Sequence, residues 1–170
     1  MSHLLAMPML VSGLVAGFVV GLAAGGDWHH LERLDLKLWP VLFVGAVARV
    51  VAPLLGGLAL ASSIAGLVLV SLVALANRAL PGASLIAAGS LLNAGVISIN
   101  GGMPIDPGAL AASGKPAPAD GLHMILGPET RLPFLADILL VPVINNIYSV
   151  GDVVLAIGGF WMAFRLLKQR

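Results

Sequence analysis

The sequence predicts an all-α membrane protein, with about five transmembrane helices and a long outer loop that carries short interfacial or re-entrant helices. Three observations predict it. Of the 170 residues 59% are hydrophobic and only 10% charged, and the mean hydropathy of +1.02 lies outside the range of water-soluble domains. The apolar residues gather into long runs, and the charged residues fall almost entirely in the connections between them. Where the runs are interrupted, proline and glycine do it.

A hydrocarbon core of about 30 Å needs roughly 20 helical residues, and the backbone there must satisfy its own hydrogen bonds. The first span, about residues 4–24, meets that length. No positively charged lead precedes it in Met1 to His3 and no short apolar core ends in an A-x-A site, so it reads as mature structure rather than a removable signal. The run from Leu38 to Ala76 would reach roughly 58 Å as one helix, about twice the membrane. Pro53, Gly56 and Gly57 break it into spans at about 38–55 and 58–75. A fourth span, about 83–99, follows the Pro81-Gly82 turn signal, and a fifth covers about 150–167. Together they make a single integral membrane domain over 1–170.

The outer loop, 100–149, holds seven of the eleven prolines. Asp106-Pro107 has the residues of a helix N-cap and first helical position, and Gly114 can close the short helix that follows. Leu132 to Ile144 is apolar but only 13 residues long and carries Pro142, so it reads as an interfacial or re-entrant helix, with a sixth full span as the alternative.

Lysine and arginine near the span ends set the orientation. Arg33, Lys37, Arg78, Arg165, Lys168 and Arg170 collect on one side, against Lys115 and Arg131 on the other. The N-terminus is therefore expected outside and the C-terminus in the cytoplasm. Trp28 and Trp39 then lie at the cytoplasmic interface and Tyr148 at the outer one.

Within the first span Gly13, Gly17, Gly21 and Gly25 recur at every fourth position, a strip that lets another backbone approach closely. It serves either a membrane protein partner or homo-oligomer, or a neighbouring span of the same chain. Ala48, Ala52, Gly56, Ser62 and Gly66 offer matching small faces in the second and third spans.

Arg49 is the costly residue, since a guanidinium near the middle of a span costs on the order of 3 kcal/mol. Pro53, four residues on, removes the helical partner of its carbonyl and predicts a kink at the same level. Arg49 either binds an anion or a lipid headgroup, or pairs internally with Asp152 first and Asp137 second. Asp152 has its own structural explanation, because Ser149-Val-Gly-Asp152 has the spacing of a capping box. A carboxylate there, near Arg49, Asn93 and Asn100, also has the makings of a proton or cation site. Asn100-Gly101-Gly102-Met103-Pro104 reads as a helix stop, and its glycines permit close backbone approach by a ligand or a returning segment.

Several classes are disfavoured. A net charge of +1 supplies no field for nucleic acid. Without cysteine there is no disulfide, thiolate metal site or thiol nucleophile. His3, His29, His30 and His123 have no metal- or haem-binding spacing, so no metal and no cofactor is expected. No nucleophile and base stand at a credible spacing, which weighs against an enzyme.

With Asn100-Gly-Gly-Met-Pro104, Leu132-Pro133, Asp137 and Asn146-Ile-Tyr-Ser-Val-Gly-Asp152, the chain resembles an uncharacterised family of small bacterial multi-pass membrane proteins, a domain of unknown function. The likeness is strongest over 93–158. It implies a bacterial plasma (inner) membrane and that the two motifs act together. A single outward-facing site is then expected from Arg49, Asn93, Asn100, Gly101, Gly102, Met103, Pro104, Asp137, Ser149 and Asp152. The expected function is to bind or transport a small molecule, ion or lipid there; the alternative is an accessory or assembly subunit of a larger membrane complex.

Overall fold

In a computed structural model that describes residues 9–168, three helices are long and apolar enough to cross a membrane: Gly56–Ala76, Ala83–Asn100 and Val150–Leu167. The start of the first span, His3 and Arg170 lie outside the described residues. Five long helices follow the apolar runs: α1 (Met9–Ala23), α2 (Trp39–Val51), α3 (Ala59–Ala76), α4 (Ala83–Asn100) and α6 (Val150–Leu167). The described parts of α1 and α2 are shorter than the other three. The connection between α4 and α6 contains α5 (Pro107–Ser113) and four three-residue strands, β1 (Met103–Ile105), β2 (His123–Ile125), β3 (Leu139–Val141) and β4 (Asn146–Tyr148).

The helices pack in the order α1, α6, α4, α3, α2, so the last helix of the chain sits between the first and the fourth. Glycine makes these contacts close. A Cβ at Gly17 would stand 2.8 Å from the Phe160 Cα, and Gly13 and Gly21 similarly face Ala156 and Leu167. Three glycines of the α1 strip thus lie against α6, whereas Gly25 has a positive φ of 78° and open space around it. Gly89 of α4 meets Gly151 of α6, and Gly45 of α2 meets Gly66 of α3. The outward faces remain apolar: Val19, Phe43, Val50, Leu72, Leu91 and Ile157 are all exposed. An apolar rim of this extent is stable against lipid rather than water.

Two differences from the sequence expectation concern α2. It ends at Val51 and passes into the 3-10 turns Ala52–Leu54 and Gly56–Leu58, so Pro53 terminates the helix instead of kinking it. Arg49 accordingly occupies the last helical turn, near the loop end of the bundle, where the helix dipole favours a cation.

The connection between α4 and α6 is the larger correction. Leu132–Ile144 is neither a re-entrant helix nor a sixth span. It is the 3-10 turn Pro133–Leu135 followed by β3, which pairs antiparallel with β4 in the register Leu139↔Tyr148. Pro142 and Asn145, the latter at φ 46°, supply the hairpin turn, and the β-branched residues around it suit a strand better than a helix. Tyr148, expected at a membrane interface, is buried in this pair. The α5 expectation holds: Asp106 caps it by accepting from the Ala109 N–H at 2.7 Å, and Gly114 closes it at φ 65°.

Strand β1 organises the cap. It pairs in parallel with β2, Met103 opposite His123. On the opposite side from β2, the Asp137 N–H donates to the Pro104 carbonyl at 2.8 Å and the Asp106 N–H to the Asp137 carbonyl at 3.0 Å. Met103 packs onto Leu67 of α3 and onto Ala94, Val96 and Ile97 of α4, so the cap is seated on the bundle through the strand at its centre.

Candidate site between the cap and the bundle

Three of the expected residues form a connected polar group where α4 and α6 meet the cap, with Asp137 beside it. Ser149, fully buried, accepts the Asp152 N–H on its Oγ at 3.0 Å, and the Asp152 carboxylate accepts the Ser149 N–H at 3.1 Å, which is the capping box the spacing predicts. The Asn93 Nδ2 donates to Asp152 Oδ1 at 2.8 Å, and Ser149 Oγ donates to Asn93 Oδ1 at 2.9 Å. Asn93 is therefore joined to both members of the box through a face of α4 where Gly89 admits α6. Asp137 stands close enough to Asp152 and Arg49 for both charges to act on it.

The internal ion pair expected of Arg49 does not form. Its guanidinium Nη1 donates to Ser63 Oγ of α3 at 2.8 Å, and no described carboxylate comes within salt-bridge distance. Asp152, Asp137 and Asp120 all act on it from further away. Arg49 is thus one cation facing three acids, anchored on α3 instead of neutralising any single partner.

Asp137 is the most constrained group of the set. Its side chain is only 9% exposed, Oδ2 lies 3.9 Å from His123 Nε2, and Oδ1 is buried without a hydrogen-bond partner among the described residues. Burial pushes this carboxyl well above the usual range; Asp152 adds to the rise, and Arg49 opposes it.

Asp120 and His123 were missed in the sequence. The Asp120 carboxylate accepts the backbone N–H groups of Leu122 and His123 at 2.9 and 3.1 Å, and its Oδ2 lies 2.7 Å from His123 Nδ1. Burial alone would raise Asp120, but those N–H groups and the adjoining imidazole outweigh it and hold the carboxyl below its ordinary value. The Asp-x-x-His spacing of Asp120-Gly-Leu-His123 was the available signal; only the pairing of β2 with β1 brings it to Asp137.

The remaining expected residues have other placements. Asn100 accepts the Arg131 N–H at 2.8 Å and donates to the Arg131 carbonyl at 2.9 Å, tying down the cap beside an open groove of about 530 Å³ lined in part by Met124, Glu129 and Arg131. Gly101, in the left-handed conformation at φ 73°, and Gly102 both donate to the Ile97 carbonyl and end α4. Met103 and Pro104 are buried in β1. Asn100 to Pro104 therefore builds the frame that sets His123 and Asp137 side by side.

The whole segment around that frame, from Asn93 through Asp152, falls within the part of the chain, residues 33–164, matched by the model of the family described as "Family of unknown function (DUF5317)". The chain belongs to DUF5317. The match spans α2 through most of α6, including every residue of the polar group. No curated protein and no solved structure matches this DUF5317 chain.

Proposed function

We propose that this DUF5317 protein is a five-span inner-membrane protein of bacteria that binds or transports a small molecule or ion at the junction of cap and bundle. The observation that carries the reading is the buried carboxyl of Asp137, held by the cap within electrostatic reach of Asp152 and Arg49 at the loop end of the helices. Buried ionisable groups in a bundle cost stability, and they are kept where a site needs them.

Five crossings are supported by alternation. Asp27 donates its N–H to the Leu167 carbonyl, and Lys37 donates its N–H to Asn77, so the ends of α1, α3 and α6 and the start of α2 gather at one end of the bundle. Lys37, Arg78, Arg165 and Lys168 lie at that end, which the positive-inside rule assigns to the cytoplasm. The cap then faces outward. A reporter fused to the C-terminus is expected to be active only in the cytoplasm; periplasmic activity refutes the orientation. An assembly subunit would need a docking surface other than the α1 strip, three of whose glycines face α6.

Native mass spectrometry of the protein drawn from its own membrane tests the binding reading. A bound species that Arg49→Ala and Asp152→Asn remove while the fold persists supports it. If nothing co-purifies, and the two variants lower stability without altering uptake or binding in vesicles, the polar group is structural and the reading fails.

A further inference from the structure

The backbone of Asp137 cannot leave its surroundings without dismantling the cap. Its backbone N–H and carbonyl are hydrogen-bonded to Pro104 and Asp106, on the strand that seats the cap on the helices. The charged and titratable groups that face it are Arg49 from α2, Asp152 from α6 and His123 from β2, with Asp120 behind the imidazole. Arg49 donates to Ser63, and Asp152 is occupied by Asn93 and Ser149. None of these partners satisfies Asp137 Oδ1.

A buried anionic oxygen with no donor is strongly disfavoured. Three ligands converging on a metal ion are lacking among the described residues. The smallest species that neutralises a sealed carboxylate is a proton, which requires no cavity.

A route for that proton is built from the same segment. Exposure falls from 31% for the side chains of Asp120 and His123 to 9% for Asp137. Because Asp120 Oδ2 lies 2.7 Å from Nδ1, the neutral imidazole carries its hydrogen on Nδ1 and turns the Nε2 lone pair toward Asp137.

We propose that Asp137 is a proton-binding site loaded from the cap face through His123, with Asp120 as the positioning residue that fixes the imidazole. A proton from solvent adds to Nε2 and gives an imidazolium between two carboxyls. When the 3.9 Å gap shortens to hydrogen-bond distance, by rotation of the side chains or through one water, that proton passes to Asp137 Oδ2. His123 returns to its neutral tautomer, and Asp137 ends as a neutral acid. One proton enters and one negative charge is lost. The inference rests on the cap–bundle junction being a ligand site and names the proton as its ligand.

Infrared spectroscopy of the full chain in lipid vesicles, titrated from about pH 4 to about pH 9, reads the carboxyl directly. The expected result is a carbonyl stretch of a protonated carboxyl at neutral pH that shifts in heavy water and disappears in Asp137→Asn. Its absence from the wild type, or its persistence in Asp137→Asn, overturns the proposal. In His123→Gln, which keeps Asp137, the band should still form at equilibrium but rise about a hundredfold more slowly after an acid jump; an unchanged rate overturns the route. In Asp120→Asn, nitrogen NMR should show His123 shifted toward the Nε2–H tautomer, and an unaltered tautomer removes Asp120 from the scheme. If the band is absent while a bound species still co-purifies, only the proton assignment fails. If the band is present with no bound species and no ligand uptake, the site takes the proton alone.

Discussion

The crossing of α4 and α6 supports a quantitative prediction, because two glycines of one helix differ only in what surrounds them. A Cβ added at Gly89 would lie 2.6 Å from the Gly151 carbonyl oxygen and 2.8 Å from Leu155 Cγ. To restore ordinary contact the two helices must separate by roughly 0.6 to 0.8 Å, and α6 cannot do so without drawing Ser149 and Asp152 away from Asn93. Overpacking of this kind costs about 1 to 3 kcal/mol. At Gly95, also on α4, an added Cβ meets nothing within 4 Å. Both alanines gain the same helix propensity, at most about 1 kcal/mol, which cancels in the comparison. Gly89→Ala should therefore unfold at a lower temperature than Gly95→Ala by about 2 to 12 °C, using about 2 to 4 °C per kcal/mol for a chain of this length. Tryptophan fluorescence of the detergent-solubilised variants measures the two midpoints. Equal midpoints refute the close α4–α6 approach and, with it, the geometry of the polar group.

Asp137→Asn should alter how stability depends on pH. A carboxyl whose folded value is raised stabilises the fold fully below its unfolded value and loses that contribution as pH rises through the folded one. The wild type should weaken relative to Asp137→Asn as pH climbs out of the ordinary carboxylate range; parallel pH profiles of the unfolding midpoint refute it. Asp120 has the opposite sign: its contribution is present above the unfolded value and disappears as pH falls through the depressed folded value, so Asp120→Asn should flatten the acid limb of the same profile. Ser149→Ala removes the acceptor of the Asp152 N–H and leaves Asn93 Oδ1 without its donor. Loss of the cap and of that buried bond should together cost about 1 to 4 kcal/mol in chemical unfolding, and a change below a few tenths contradicts the network.

The ends of α3, α4 and α6 were legible because each depends on local chemistry. Gly82 and Gly101 flank α4 with positive φ, and Ser149 with Asp152 begins α6, each within four residues of the sequence signal. The interior of the cap was not legible. Leu132–Ile144 is apolar apart from Asp137 and its two prolines, a pattern that suits helix and strand alike, and the partner of its Leu139–Val141 strand, Asn146–Tyr148, shows itself only on pairing. Arg49 illustrates the same limit from the other side. Proline four residues later signals a disruption, but whether a helix kinks and continues or stops depends on the turn that follows, here two 3-10 segments leading into α3. The candidate site divides along this line: Asn93, Ser149 and Asp152 could be read from spacing, whereas His123 reaches Asp137 only through long-range strand pairing.

That division bears on why the cap is built on a strand. A helix or hairpin at Asn100–Pro104 would bury its backbone groups within itself and leave the neighbouring segments free to move apart. Strand β1, central and flanked on both sides, must take its hydrogen-bond partners from two distant pieces of chain, residues 122–126 and residues 136–138. His123 and Asp137 consequently face each other as a result of the backbone pairing, before any side chain interaction is counted. Pro104 has no N–H to donate, yet its carbonyl accepts from Asp137, so the proline costs this strand nothing on the side that matters. Met103 then fixes the whole arrangement against α3 and α4. A substitution that shortens this residue, Met103→Ala, should thus separate His123 from Asp137 although it touches neither ionisable group. The expected signature is a slower rise of the protonated Asp137 carboxyl band after an acid jump, with both strand pairs intact. An unchanged rate in a cap that has visibly loosened would mean that the helices, and not β1, hold the site together.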